Sequence, residues 1–109
     1  MKNKQDAGYM VIWEFQVKAE MKELFEAAYG PDGDWVQLFS QSVEFAGTEL
    51  ILDVASPSRY VTIDSWISQN AYEQFRNQYA AEYKKIDVSC ENFTLSEREI
   101  GRFNRIGED

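Results

Sequence analysis

The sequence predicts an α+β domain in which helices cover one face of a four-stranded antiparallel sheet. Three observations carry that prediction. The stretch Gly47–Trp66, GTELILDVASPSRYVTIDSW, alternates in character on both sides of a Ser56-Pro57-Ser58 turn and reads as a hairpin. A third run with the same period of two precedes it at Tyr9–Val17. Two stretches with apolar residues every three or four positions separate these strands from each other and from a fourth near the end.

Each element has its own justification. In the first strand Tyr9, Val11, Trp13, Phe15 and Val17 share one face, with Met10, Ile12, Glu14 and Gln16 on the other. A helix is predicted from Ala19, with Met21, Leu24, Phe25 and Ala28 as its stripe. Tyr29-Gly30-Pro31 ends it, because Gly suits the exit and Pro cannot continue the ladder. Asp34 is a candidate cap for a short second helix carrying Trp35, Leu38 and Phe39. In the hairpin Leu50, Leu52 and Val54 point one way and Glu49, Ile51 and Asp53 the other. In the return arm Val61, Ile63 and Ser65 oppose Tyr60, Thr62, Asp64 and Trp66. Ser68 is a good N-cap for a long helix with the stripe Tyr72, Phe75, Tyr79, Tyr83 and Ile86. The last strand region runs from Asn92 to Ile106, with a bend or bulge expected around Gly101.

The order β, α with a short extra helix, β, β, α, β is the split pattern of a ferredoxin-like βαββαβ fold. One domain over residues 1–109 is expected, with 1–7 and 107–109 flexible. If the more apolar strand positions face the helices, the other face carries Met10, Ile12, Glu14, Ile51, Asp53, Tyr60, Thr62, Asp64 and Trp66. A half-apolar face of that kind marks an interface or a groove. Closure of two such sheets against each other, giving a homodimer around a cavity, is the expectation.

Composition narrows the function. With 19 acids against 11 bases the net charge is −8, which repels nucleic acid and anionic membrane surfaces. No apolar run approaches the ~20 residues of a membrane span. The polar start MKNKQDAG lacks a signal-peptide core, and a cytoplasmic location is expected. There is no His, and the single Cys90 has no intrachain partner. No dinucleotide or P-loop fingerprint occurs. Only an oxygen-ligand cation could be held, and no EF-hand spacing is present; no metal and no cofactor are expected.

The text VIWEFQVK followed by a helix, the hairpin with RYVTIDSW, and a Ser-capped AYEQF together resemble the antibiotic biosynthesis monooxygenase family of the dimeric α/β-barrel superfamily. Order and spacing carry the likeness over Tyr9–Phe103 more than any one motif. Asp64-Ser65-Trp66-Ile67-Ser68 matches a family strand that ends in an aromatic before a Ser and a helix. Members of that family include cofactor-free oxygenases of aromatic polyketides, haem-degrading enzymes and many proteins of unknown activity, and the resemblance implies one of these. The haem-degrading branch uses an axial His and a first-strand Asn; Arg76 and Ile12 stand near those places here. The aromatic-polyketide oxygenases use Asn, Trp, Tyr and Arg, of which Trp66 maps directly, with Tyr72 and Arg76 nearby.

The candidate catalytic residues are therefore Asp64 and Glu14, acids whose burial would suit general-base work. The candidate substrate-binding residues are Trp66, Tyr60, Tyr72, Arg76 and Ile12. Two readings stand: a cofactor-independent monooxygenase for a small aromatic or quinol, and a non-catalytic dimeric module whose acids are neutralised by Arg59, Arg98, Arg102 or Arg105.

Overall fold

A computed structural model describes residues 7–107. The expected flexibility of the two ends falls mostly outside these residues. Ala7, at their edge, is buried, and its carbonyl accepts a 2.6 Å hydrogen bond from Arg105 Nε.

The elements are β1 (Tyr9–Val17), α1 (Lys22–Tyr29), α2 (Asp34–Phe39), β2 (Phe45–Leu52), β3 (Arg59–Trp66), α3 (Gln69–Gln78), α4 (Ala80–Cys90) and β4 (Thr94–Asn104). The sheet is four-stranded in the order β2-β3-β1-β4, and each neighbouring pair is antiparallel. This is the ferredoxin-like arrangement the sequence predicts.

Directly opposed residues in an antiparallel pair share a face. The odd residues of β1 face the helices: Tyr9, Val11, Phe15 and Val17 are buried. Their partners on β3 are Trp66, Asp64, Thr62 and Tyr60 for Tyr9, Val11, Trp13 and Phe15. The expected faces of β3 are therefore exchanged. Tyr60, Thr62, Asp64 and Trp66 lie under the helices, while Val61 and Ile63 join Ile12 and Glu14 on the open face. Hydropathy alone favours Val61 and Ile63 for the core. The aromatic rings of Tyr60 and Trp66 outweigh them, because each buries far more surface.

Other elements differ in detail. The buried stripe of α1 is Phe25, Ala28 and Tyr29, and Leu24 is half exposed. Gly33, not Asp34, stands at the N-cap of α2; a Cβ there would lie 2.2 Å from the Ala28 carbonyl oxygen. β2 begins at Phe45, earlier than expected, and Val54 is fully exposed beyond its end. Gly47, at φ +119, absorbs a register shift where β2 meets the end of β3. The predicted long helix is broken at Tyr79, φ −109 and ψ 28, into α3 and α4. Ser68 caps α3 by accepting a 3.1 Å bond from the Ala71 amide. In β4 the partner of Ile12 is Gly101 and that of Trp13 is Glu99, so Ile100 is the unpaired residue of a bulge.

The core is mostly rings. Trp66 is completely buried, with Phe39, Phe45, Tyr72 and Phe75 between 5.1 and 5.6 Å from it, centroid to centroid. Phe25 stacks on Tyr29 at 4.3 Å and meets Phe15 edge-on at 5.2 Å. No described helix is long and apolar enough to cross a membrane.

Candidate functional site

Between the sheet and the helices lies a hollow walled by Trp13, Phe15, Tyr29, Trp35, Phe39 and Tyr83. Its polar lining is Thr48, Thr62, Asp64, Asp87 and Glu97. Every layer contributes: β1 and β3 form the floor, β2 and β4 the flanks, and α1, α2 and α4 the roof. The space open to the centre of a water molecule is about 40 Å³, within about 440 Å³ of atom-free volume that includes the mouth and open solvent. Since one water needs ~10–15 Å³ on the first measure, the hollow holds roughly three.

Asp64 is the sequence candidate that reaches this hollow. It sits on β3, opposite Val11 on one side and Thr48 on the other. Burial pushes its carboxyl from 3.8 up to about 6, against the opposing pull of a 2.8 Å hydrogen bond from the Thr48 hydroxyl. A carboxylate that ionises near pH 6 in an aromatic enclosure can take a proton from a weakly acidic group. Burial also raises the hydroxyls of Tyr29 and Tyr83, so both stay protonated. Glu97 is raised too, by burial first and then by the charge of Asp87.

The other sequence candidates are dispersed. Glu14 lies on the open face between two guanidinium groups, 2.5 Å from Arg59 Nε and 2.8 Å from Arg98 Nη2. Hydrogen bonds from Arg59 and Arg98 hold its carboxyl below the usual range. Ile12 is on the same face, paired with Ile63 and Gly101. Tyr60 is buried, and its hydroxyl meets the Glu26 carboxylate. Trp66 is behind the hollow rather than on its wall, ringed by other aromatics. Tyr72 and Arg76 line a separate surface cleft with Arg102. There Arg76 Nη1 donates to the Tyr72 hydroxyl at 2.8 Å, and its guanidinium lies 3.7 Å over the Tyr83 ring. Among the described residues no group of three or more Cys, Asp or Glu converges as a metal-binding set.

Sequence reasoning missed Thr48, Trp35, Tyr83, Asp87 and Glu97 as members of one site. One signal was available: Asp87 continues the stripe Tyr79, Tyr83 at the next helical step, an acid on an otherwise aromatic face.

No protein-family model matches the sequence, and no curated protein matches it. Solved structures do. SnoaB, a cofactor-independent oxygenase from Streptomyces nogalater, aligns at TM-score 0.67 and 15% identity, covering 94% of this chain and 96% of that one. ActVA-Orf6, a monooxygenase of Streptomyces coelicolor solved with nanaomycin D, aligns at TM-score 0.68 and 15% identity over 97% and 94%. A conserved protein from Methanosarcina mazei Go1 aligns at TM-score 0.69 and 12% identity over 92% and 94%. The chain thus has the fold of the antibiotic biosynthesis monooxygenase-like proteins.

Proposed function

We propose that this protein is a cofactor-independent monooxygenase of the antibiotic biosynthesis monooxygenase-like family. It acts on a small aromatic or quinol substrate, as a homodimer, in the cytoplasm. The observation that carries the reading is Asp64, a carboxyl tuned to about 6 on the wall of an aromatic hollow. Deprotonating a phenol or hydroquinone gives an electron-rich anion that dioxygen oxidises directly. With an anthrone, one oxygen atom becomes the new carbonyl, the other leaves as water, and the four electrons come from the substrate carbon. A ring is larger than the resting hollow. Trp13 and Tyr83, both only partly buried, must swing aside, a rotamer change common at binding surfaces.

The dimer reading rests on the open face. Ile51 and Phe103 are each close to half exposed on this face, which also carries the Glu14–Arg59–Arg98 network. This face is not the wall of the hollow, which lies under the helices of one chain.

An oxygen electrode with a panel of hydroquinones and anthrones tests the enzyme. Uptake that depends on Asp64 supports it. Uptake equal in the wild type and Asp64→Asn overturns it for those substrates. The small volume of the hollow favours the second reading, a non-catalytic dimeric module, and absence of any Asp64-dependent uptake would select it.

A further inference from the structure

One half-buried cation has no carboxylate to answer it. Arg76, on α3, makes no ion pair among the described residues, although the chain carries a net charge of −8. Its guanidinium is nevertheless fixed in place. Nη1 donates to the Tyr72 hydroxyl at 2.8 Å, and the group lies 3.7 Å over the Tyr83 ring and 5.8 Å from that of Tyr72. Its other N–H groups have no acceptor among the described residues. An arginine held this way has already given up most of its rotamer freedom, so taking an anion costs little further ordering.

A second observation is independent of that charge. Tyr72 is 4% exposed, and its hydroxyl accepts from Arg76. As the acceptor it still has its own proton to give, and no described residue takes it. A buried donor left unpaired is costly. Both residues line one open cleft of about 260 Å³, with Asn77 beside them on α3 and Arg102 facing them from β4. Arg102 lies 5.4 Å from the Tyr72 ring, with its Nε and Nη2 bonded to Glu99 at 2.9 and 3.2 Å. Glu73, also in the lining, accepts from the Gln69 amide at 2.9 Å. Two carboxylates therefore flank the cleft, and they penalise a doubly charged anion more than a singly charged one.

We propose that this cleft binds a small monocarboxylate, its two oxygens accepting from free guanidinium N–H groups of Arg76 and one of them also from the Tyr72 hydroxyl. A planar carboxylate meets a planar guanidinium in two parallel hydrogen bonds. The cleft is separate from the hollow, and the assignment does not depend on what the hollow does.

The test is a titration of isotope-labelled protein, followed by nuclear magnetic resonance near pH 8 at constant ionic strength, with acetate, acetamide and hydrogen phosphate. Acetate is expected to shift the Arg76 Nε–H signal and the amide signals of residues 72–77 saturably, and to bind about tenfold more tightly than either of the others. Tyr72→Phe keeps the ring and should weaken acetate about tenfold, the loss of one hydrogen bond to a charged group. Arg76→Gln should abolish the saturable shifts, and Arg76→Lys, which keeps the charge and loses the fork, should recover only part of them. Should the Arg76 variants fail to fold, wild type and Tyr72→Phe decide alone. Acetamide or hydrogen phosphate binding as tightly as acetate, or acetate binding unchanged in Tyr72→Phe, overturns the proposal. So do shifts that fail to saturate by about 100 mM acetate. Oxygen uptake is not part of the readout, so failure here leaves the Asp64 reading untouched, and loss of that reading leaves the cleft.

Discussion

The Thr48 hydroxyl donates a 2.8 Å hydrogen bond to Oδ1 of Asp64, across two strands that place the residues directly opposite each other. That bond works against the desolvation that raises the carboxyl, so the pair sets where Asp64 ionises.

Activity should follow that ionisation. Oxygen uptake is expected to rise through pH 6 and to fall away below it, since only the carboxylate accepts a proton. Thr48→Val removes the opposing bond and should move this limb upward by about one unit, the equivalent of one hydrogen bond to a charged group. A pH–rate profile of both proteins reads the shift.

Stability should run the opposite way. The carboxyl of Asp64 binds its proton more tightly in the fold than in the open chain, about 6 against 3.8. Its contribution is therefore complete below pH 3.8 and is lost as pH rises to about 6. Asp64→Asn keeps an acceptor for Thr48 and carries no charge. The variant should be inactive yet more stable than wild type above pH 6, by roughly 2–3 kcal/mol at most. Urea titrations at pH 4 and pH 8 would show the gap open only at the higher pH.

Glu14 gives the mirror image. Its carboxyl is lowered by Arg59 and Arg98, so the stabilisation is present above its ordinary 4.5 and disappears as pH falls through the lower folded value. Glu14→Gln should remove that acid-side loss without touching the pH 6 limb of activity. Thermal melts across the acidic range check the first part, and oxygen uptake the second.

Truncating Trp66 should unfold the protein before it reveals anything about substrate. The ring is fully buried among four others, and Trp66→Ala is expected to cost about 3–5 kcal/mol. Trp66→Phe, which keeps a ring, should remain folded. If uptake survives in it, Trp66 is scaffold. Denaturant midpoints of the two variants decide this.

The open face should hold the dimer. Ile51→Lys with Phe103→Glu places charges where two half-exposed apolar groups stand. Sedimentation velocity should show wild type as two copies and the double variant as one. A wild type that stays single at high concentration would refute the pairing.

Much of this fold was legible because period and order are carried by many residues at once. The alternation in Tyr9–Val17 and Arg59–Trp66, and the Ser68 cap, are local signals that packing did not overrule. Which side of β3 faces the helices was not local. It depends on Tyr9 lying opposite Trp66, a partnership between distant residues, and a shift of one place exchanges every side chain. The site was harder still. Asp64 was visible as an acid beside aromatics, but Asp87 and Glu97 meet it only after a helix and the last strand have crossed the sheet. The break at Tyr79 left no mark in the stripe, since Phe75, Tyr79 and Tyr83 keep helical spacing across it.

That break has a mechanical consequence. Arg76 belongs to α3 and Tyr83 to α4, so the contact between them spans the joint like a clasp. Both Tyr83 and Asp87 belong to α4. Apart from the clasp, the joint is bridged by backbone hydrogen bonds from Tyr79 N–H to the Phe75 carbonyl and from Tyr83 N–H to the Tyr79 carbonyl, both 2.9 Å. The pitch of the roof over the hollow is therefore set in part by a cation carried on the neighbouring rod.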